Sequence, residues 1–323
     1  MSDQSVAGGK LQKRSISVKD FGILIVLIFL ILVLSIISPA FANVGNFINI
    51  FKQAAINGIL ATGMMCVILT GGFDMSVGST VGLTGVIAAL MAQGQYPIIV
   101  PIVISMLIGL LVGMANGVCV SYLAIPAFVV TLGTQSLVRG LAYLVSGGEP
   151  VFGVSHDFEN LAGGKLFGQI PLLVVYYILI AVLFGFILTK TVFGRRIYAV
   201  GGNAVSAEVS GINVKFVRML VYSICGMLAG VAGFLLTSRT VSGSPVAGQG
   251  YELDAISAVV IGGISMDGGV GNWYGTIIGA ILLAVISNGL DILRVSSYYQ
   301  YIIKGIIIIV AVFLDIRSRA RDN

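Results

Sequence analysis

The sequence predicts an all-α membrane protein, a polytopic bundle of about ten transmembrane helices. Of its 323 residues, 57% are apolar and only 10% are charged, whereas soluble domains carry about 25% charged residues. A soluble core of this size could not bury so much apolar surface. Apolar runs long enough to cross a bilayer as helices recur along the chain. The alternating pattern of a membrane β-barrel is absent from the sequence.

Ten apolar segments are predicted to cross the membrane, with both termini in the cytoplasm. This orientation places 12 of the 18 Lys and Arg residues inside, as the positive-inside rule requires. The first run is too long for the apolar part of a secretory signal, so we expect it to be retained. The predicted spans are residues 21–38, 52–70, 76–93, 97–121, 126–146, 171–190, 216–237, 252–265, 273–290 and 298–314. They define a cytoplasmic tail over 1–20, one membrane domain over 21–315 with an inner loop at about 191–215, and a cytoplasmic tail over 316–323.

Two spans are predicted to be discontinuous. The second ends in a glycine-containing stretch over residues 69–78, and the eighth ends in a similar stretch over residues 261–269. Irregular backbone at membrane depth must be buried in protein or line a cavity. Interrupted segments in matching positions point to a transport site, and the similarity of the two stretches also suggests an internal duplication.

No feature of the sequence predicts catalysis, a metal site or a bound cofactor. The chain has no Gly-x-x-x-x-Gly-Lys-Ser/Thr phosphate loop and no nucleophile–base constellation. Cys66, Cys119 and Cys225 stand singly within apolar runs, which is typical of buried apolar side chains, and His156 is the single histidine. The chain is therefore predicted not to be an enzyme.

The inner loop contains a predicted short helix. Asn203 suits an N-cap and Gly211 suits a helix end. Val205, Val209 and Ile212 fall at helical spacing and form one apolar stripe. A helix this short needs a packing partner, which is either the protein's own spans or a cytoplasmic protein.

Asp74 is the sharpest candidate for a gate or a translocation pathway, together with its neighbours Phe73 and Ser76. A carboxylate near membrane depth is costly and usually faces a cavity or a partner. Two roles are open for it. It either caps a helix that starts near Met75, acting as a gate, or contacts a polar solute directly.

An amide stripe enters the second span. Asn46, Asn49, Gln53 and Asn57 lie on one helical face, with the first two placed in the outer interface. Amides donate and accept hydrogen bonds without carrying charge, which suits a hydroxylated solute. Hydrogen bonding between helices is the equal alternative for Gln53 and Asn57.

Charged residues inside other spans are expected to be paired. Lys304 lies two turns into the last span, and Asp254 or Asp291 could be its partner. Arg139 in the fifth span is expected to have an internal partner as well.

Four blocks of the sequence resemble the permeases of ribose-type bacterial ABC sugar importers. They are residues 69–79, 201–212, 250–256 and 295–300, and they extend over nearly the whole chain. The resemblance implies a multi-pass permease subunit of an ATP-driven importer, which moves a ribose-like pentose or a related monosaccharide across the inner membrane. It also implies a homodimer, a separate cytoplasmic subunit that binds ATP and Mg, and a periplasmic or lipid-anchored sugar-binding protein.

The resemblance further implies that the inner-loop helix couples the permease to the ATPase. Its residues are Asn203, Val205, Ala207, Glu208, Val209, Ser210, Gly211 and Ile212. Glu208 departs from the family pattern, in which a basic residue is common. Glu149 and Glu252, in predicted outer loops, are the candidates for docking the binding protein. The alternative functions are a permease for branched-chain amino acids or nucleosides and, from another class, an ion-coupled secondary transporter.

Overall fold

The structure, a computed structural model, describes residues 18–94 and 96–322 and is mostly helical. Residues 1–17 of the predicted N-terminal tail lie outside the described residues. The helices are α1 (Val18–Ile37), α2 (Val44–Leu69), α3 (Val77–Met91), α4 (Ile99–Ser121), α5 (Ala127–Ser146), α6 (His156–Gly163), α7 (Leu172–Lys190), α8 (Val192–Gly202), α9 (Ala204–Val209), α10 (Val214–Thr240), α11 (Tyr251–Ile261), α12 (Trp273–Ile292) and α13 (Ser297–Asp322). Because α13 continues through residue 316, no structural break separates the predicted C-terminal tail from the last helix.

Each predicted span corresponds to one helix, and the predicted all-α architecture is confirmed. Within the described residues, six helices, α2, α4, α5, α7, α10 and α12, are long and apolar enough to cross a membrane. Shorter apolar stretches lie in α1, α3 and α13, at residues 22–37, 77–91 and 297–313, and α11 has 11 residues. Helix α2 begins at Val44, earlier than the predicted start at residue 52. The reason is a cap at Asn43, whose Oδ1 accepts a hydrogen bond from Gly45 N at 2.7 Å.

Among the described residues, four two-residue strands lie in the segments that follow α5 and α10. Strand β1 (Val151–Phe152) pairs antiparallel with β4 (Ser242–Gly243), and β2 (Lys165–Leu166) pairs antiparallel with β3 (Ile170–Pro171). Helix α6 rests on the end of α10, where Ser238 Oγ accepts from Ala162 N at 2.8 Å and donates to Phe158 O at 2.7 Å. The segment between α5 and α7 is thereby fixed to the end of α10.

Helices α2 and α10 form the centre of the bundle. Every residue is buried over 58–69 of α2 and over 228–238 of α10. By contrast, α4 and α7 expose large apolar side chains such as Leu111 at 54% and Leu179 at 62%. An apolar outer surface around a buried centre is the arrangement of a helix bundle in lipid.

Small residues allow α4 and α10 to approach each other closely. Gly109 and Gly113 of α4 face Gly226 and Gly230 of α10, and a Cβ on Gly109 would lie only 2.9 Å from Gly230 N. Such small-residue interfaces are typical of helix packing in membranes, because backbones must come into contact for van der Waals attraction to be strong.

The first turns of the short helices α3 and α11 meet inside the bundle. After α10 the chain runs back along α3, from Gly243, which packs against Ala89, to Gly248, which packs against Gly78. Helix α11 then starts at Tyr251 beside the first turn of α3. The partial positive charges of both helix N-termini are therefore directed at the same buried region.

Candidate functional site

The carboxylate of Asp74 lies in the break between α2 and α3 and is only 1% exposed. Its Oδ1 accepts hydrogen bonds from Ser76 N at 2.9 Å and from Ser76 Oγ at 2.6 Å, and from Asn116 Nδ2 of α4 at 3.3 Å. Asn116 Oδ1 in turn accepts a bond from Thr134 Oγ1 of α5 at 2.7 Å. This carboxylate therefore ties the break to two neighbouring helices.

Asp74 fixes the start of α3 indirectly. The helix begins at Val77, two residues beyond Met75 and so near the predicted start, with Ser76 as its N-cap. Asp74 holds Ser76 by two hydrogen bonds instead of capping the first helical turn itself. The preceding Phe73 is partly buried, and its carbonyl accepts a bond from Tyr222 OH at 3.0 Å. These contacts favour the structural role of Asp74 over direct solute contact.

Glu252 is buried, so its predicted position in an exposed outer loop is wrong. It lies in the first turn of α11 and is 6% exposed. Its Oε1 accepts a hydrogen bond from Gln135 Nε2 of α5 at 3.0 Å, and its Oε2 lies against Gly78 of α3. A buried carboxylate presents no charge to a docking protein. Of the two predicted docking residues, only Glu149 is exposed.

Arg139 of α5 holds the segment that leads into α11. Its guanidinium donates to the carbonyl oxygens of Pro245 and Ala247, the latter at 2.8 Å. The internal partners expected for this charge are therefore backbone carbonyls. Three residues of α5 therefore act as hydrogen-bond donors, namely Thr134, Gln135 and Arg139. We call them, together with Asp74, Asn116, Tyr222 and Glu252, the polar junction between α3 and α11.

The amide stripe divides into two parts. Asn46 and Asn288 of α12 exchange two hydrogen bonds of 2.9 Å each. Asn46 therefore bonds to a neighbouring helix. Asn49 is exposed, and Gln53 and Asn57 are partly buried. Gln53 Oε1 is a buried acceptor without a hydrogen-bond partner among the described residues.

The predicted ion pair of Lys304 is formed with Asp254, the first of the two candidate partners. Lys304 Nζ lies 2.9 Å from Asp254 Oδ2. Asp291 Oδ1 instead accepts a hydrogen bond from Gln300 Nε2 at 2.8 Å. The pair joins the first turn of α11 to α13.

Helix α9 matches the short helix predicted for the inner loop. Asn203 caps it, because its Oδ1 accepts a bond from Ser206 N at 2.9 Å, and Gly211 follows it with a φ of 81°. The apolar stripe does not face one environment. Ile212 packs against the core, whereas Val205 is 73% and Val209 is 85% exposed. The other predicted coupling residues divide similarly, with Ala207 buried and Glu208 and Ser210 exposed.

Glycines join the end of α8 to both breaks. Gly201, near the end of α8, packs so closely against Leu69 O and Gly269 N that no side chain would fit. Gly269 N donates a hydrogen bond to Leu69 O at 2.9 Å. The end of α2, the loop after α11 and the end of α8 therefore meet at one point, which we call the glycine junction (Leu69, Gly201 and Gly269).

Residues 46–312 match the family described as the permease component of the branched-chain amino acid transport system. The chain belongs to this family. It is 43% identical over 297 residues to the ribose import permease protein RbsC of Bacillus subtilis, covering 91% of this chain and 92% of that protein. It is 40% identical over 320 residues to RbsC of Escherichia coli, covering 98% and 99%, and 37% identical over 297 residues to the D-allose transport system permease protein AlsC of Escherichia coli, covering 91% of each. No solved structure matches the chain.

These comparisons confirm the resemblance to sugar-importer permeases that the four sequence blocks carry. The protein is a multi-pass permease of the inner membrane, and the comparisons favour this class over an ion-coupled secondary transporter. Its similarity to the curated relatives extends over nearly the whole length of each chain.

Sequence reasoning missed several residues of the polar junction in this permease. Asn116 carried a signal that could have found it, because it is the one amide in a helix whose other polar side chains are two serines, and polar groups inside spans are costly. Thr134 and Gln135 carried no such signal, since α5 contains several other polar residues. Tyr222 was hidden because aromatic residues are common in spans.

Proposed function

We propose that this permease is the membrane-spanning subunit of an ATP-driven importer. Its proposed cargo is a ribose-like pentose or a related monosaccharide, which it carries across the inner membrane. The observation that carries the proposal is the exposure of Val205 and Val209 on the capped helix α9. The names of the relatives supply the cargo class, because two are ribose import permeases and one belongs to a D-allose system.

The proposed transporter contains two copies of this chain, a cytoplasmic subunit that binds and hydrolyses ATP with Mg, and a periplasmic or lipid-anchored sugar-binding protein. Eight of the ten helices that correspond to predicted spans, α1, α2, α4, α5, α7, α10, α12 and α13, cross the membrane in this proposal, and the short helices α3 and α11 cross it only together with the irregular segments that precede them. Both termini face the cytoplasm, in accord with the distribution of Lys and Arg residues. The permease itself carries no catalytic group.

Helix α9 is the proposed docking element for the ATPase. Its six residues are too few for a stable isolated helix, so its cap and the buried Ala207 hold it in place. Two exposed valines at i and i+4 then form an apolar knob. Burial of a valine side chain contributes about 1.5 kcal/mol. Full burial of both valines would therefore strengthen docking on the order of 100-fold.

The proposed gate comprises the breaks after α2 and after α11, with the ends of the short helices α3 and α11 that adjoin them. Phe73, Asp74 and Ser76 belong to it by position, and Gln53 and Asn57 are proposed to line the pathway beside it. Glu149 remains the proposed contact for the binding protein, because it is exposed near β1. Because the polar groups of the pathway bind the passing sugar only weakly in this proposal, the binding protein selects the sugar.

The test is sugar uptake into proteoliposomes that contain the permease, its ATPase and its binding protein. The Val205→Asp/Val209→Asp variant should lose both ATP-dependent uptake and co-purification of the ATPase, because two charges replace the apolar knob. The matched Val205→Ile/Val209→Ile variant keeps an apolar surface and should retain both ATP-dependent uptake and co-purification of the ATPase.

Two outcomes would contradict the proposal. Uptake driven by an ion gradient with this chain alone would show a secondary transporter. Leucine or nucleoside uptake in place of ribose, allose and galactose uptake would show one of the other cargo classes.

A further inference from the structure

Two of the sequence blocks that carry the family resemblance have no role in the docking helix or the gate. They are residues 250–256 and 295–300, which lie about forty positions apart in the chain. In the structure both blocks border one pocket of about 300 Å³ between the starts of α11 and α13. Its lining includes Tyr251, Asp254, Ser297, Gln300, Tyr301 and Lys304.

We propose that this pocket is a substrate site, at which the permease receives one neutral monosaccharide after its release from the binding protein. The inference rests on the proposed function, and it adds the place and the residues of sugar contact. The volume of the pocket is at the lower end of the range for small-molecule sites, which is about 300–1,000 Å³. A single sugar ring, and not an oligosaccharide, fits a pocket of this size.

The polar lining suits hydroxyl groups. Among the described residues Lys304 makes one hydrogen bond, to Asp254 Oδ2, although an ammonium group has three donors. The pair neutralises its own charge and leaves donors on Lys304 and the Oδ1 acceptor of Asp254 for a ligand. Gln300 Nε2 is bonded to Asp291 and to Val295 O, so its Oε1 remains as an acceptor. Hydrogen bonds to charged groups are stronger than those between neutral groups.

The rest of the lining suits the carbon skeleton of a sugar. Tyr251 and Tyr301 contribute aromatic rings, and Leu253 and Ile308 contribute aliphatic surface. Apolar and aromatic walls with a few placed polar groups are typical of small-molecule sites. A branched-chain amino acid would bring an ammonium and a carboxylate group, whereas the described lining offers no unpaired charge for either group, because its charged residues Asp254 and Lys304 pair with each other.

The pocket is accessible, and one of its walls is the helix that contacts the start of α3. Ser297 is exposed and Tyr301 is 67% exposed, so one wall opens to the outside of the single chain. Asp254 on the opposite wall belongs to the same first turn of α11 as Glu252, which contacts the first turn of α3. Since residues two apart on a helix point in roughly opposite directions, a bound sugar would lie across α11 from that contact.

The experiment places a reporter cysteine in the wall of the pocket. Ser297→Cys is made in a Cys119→Ser background, because Cys66 and Cys225 are buried. The permease–ATPase complex is then alkylated with a membrane-impermeant maleimide, with D-ribose or L-leucine present. The matched control is Gln169→Cys, which is exposed in the turn between β2 and β3.

We expect D-ribose to slow alkylation at Ser297→Cys, by about twofold when its concentration equals the Kd. Gln169→Cys should be unaffected, and L-leucine should protect neither cysteine. Adding Asp254→Asn should abolish the protection by ribose. Equal alkylation rates with and without ribose, or equal protection by leucine, would overturn the proposal.

Uptake assays separate this proposal from the proposed function. If the complete transporter imports ribose but Asp254→Asn and Gln300→Ala import it at the wild-type rate, the pocket is not on the route and the function stands. If the wild-type transporter imports no monosaccharide, the proposed function fails and the pocket proposal fails with it. If either variant does not fold, the Ser297→Cys protection decides the question in an otherwise unaltered chain.

Discussion

Replacing Asp74 tests whether its role is structural. Asp74→Ala removes the acceptor for Ser76 N, Ser76 Oγ and Asn116 Nδ2. Asn116 Nδ2 keeps its 2.9 Å bond to Ser76 Oγ. The variant therefore leaves one backbone N–H and one hydroxyl without their acceptor in a buried site.

The expected loss follows from these two groups. A buried donor without an acceptor costs roughly 1–3 kcal/mol, so the free energy of unfolding should fall by about 3 kcal/mol. Asp74→Asn keeps an oxygen in the same place. Its amide group replaces Oδ2, which has no partner among the described residues, so the loss should stay below about 1 kcal/mol.

Two buried cysteines make the assay direct. In a Cys119→Ser background, which removes the partly exposed third cysteine, Cys66 and Cys225 are each 1% exposed and can react with a fluorogenic thiol reagent only after unfolding. For a chain of this size 1 kcal/mol corresponds to about 2 °C in Tm. We therefore expect the detergent-purified Asp74→Ala variant to melt about 6 °C below the wild type, and Asp74→Asn within about 2 °C of it.

A control variant fixes the interpretation. Asn49→Ala changes an exposed residue of α2 and should melt with the wild type. Refutation would be an Asp74→Ala variant that melts with Asn49→Ala and fails only in sugar uptake, because Asp74 would then contact the solute or line its route. Equal destabilisation by Ala and Asn would show that the charge, and not the acceptor, holds the break.

Two further variants test packing. Gly201→Ala forces a Cβ against the backbone of Leu69 and should lower the free energy of unfolding by about 1–3 kcal/mol. Gly202→Ala, whose Cβ meets nothing within 4 Å, is its control, and equal melting of the two would disprove the close approach. Asn46→Leu leaves Asn288 unpaired, and a double-mutant cycle with Asn288→Leu should give a coupling energy of about 0.6 kcal/mol. A coupling energy of zero would mean that the amides do not bond each other.

The apolar helices were predictable because lipid selects for composition over long windows. Apolar runs identified all ten of the corresponding helices, and errors concentrated where local chemistry sets the boundary. The early start of α2 depends on the Asn43 cap and not on hydropathy. Helix α6, inside a predicted loop, depends on Ser155, which accepts a bond from Phe158 N. Hydropathy windows cannot detect caps of this kind.

The polar junction was predictable only in part. The cost of a carboxylate inside a span singled out Asp74, but its partner Asn116 lies 42 positions away in the chain. Glu252 was assigned to an outer loop because counting spans places the segment after α10 outside. The donors of Arg139 satisfy the carbonyls of Pro245 and Ala247. They thereby allow irregular backbone to enter the bundle. Such tertiary contacts are not encoded in any local pattern.

The glycine junction connects the proposed docking helix to the proposed gate. Only Gly202 and Asn203 separate Gly201 from α9, and Gly201 contacts Leu69 and Gly269 at the two breaks. Any displacement of α9 by a docked ATPase must therefore move both breaks or open this contact. Asp74 is five residues beyond Leu69, and it anchors the start of α3. We therefore expect Gly201→Ala to retain ATPase co-purification and to lose uptake per ATP, whereas Val205→Asp/Val209→Asp loses both, because the first variant alters transmission and the second alters docking.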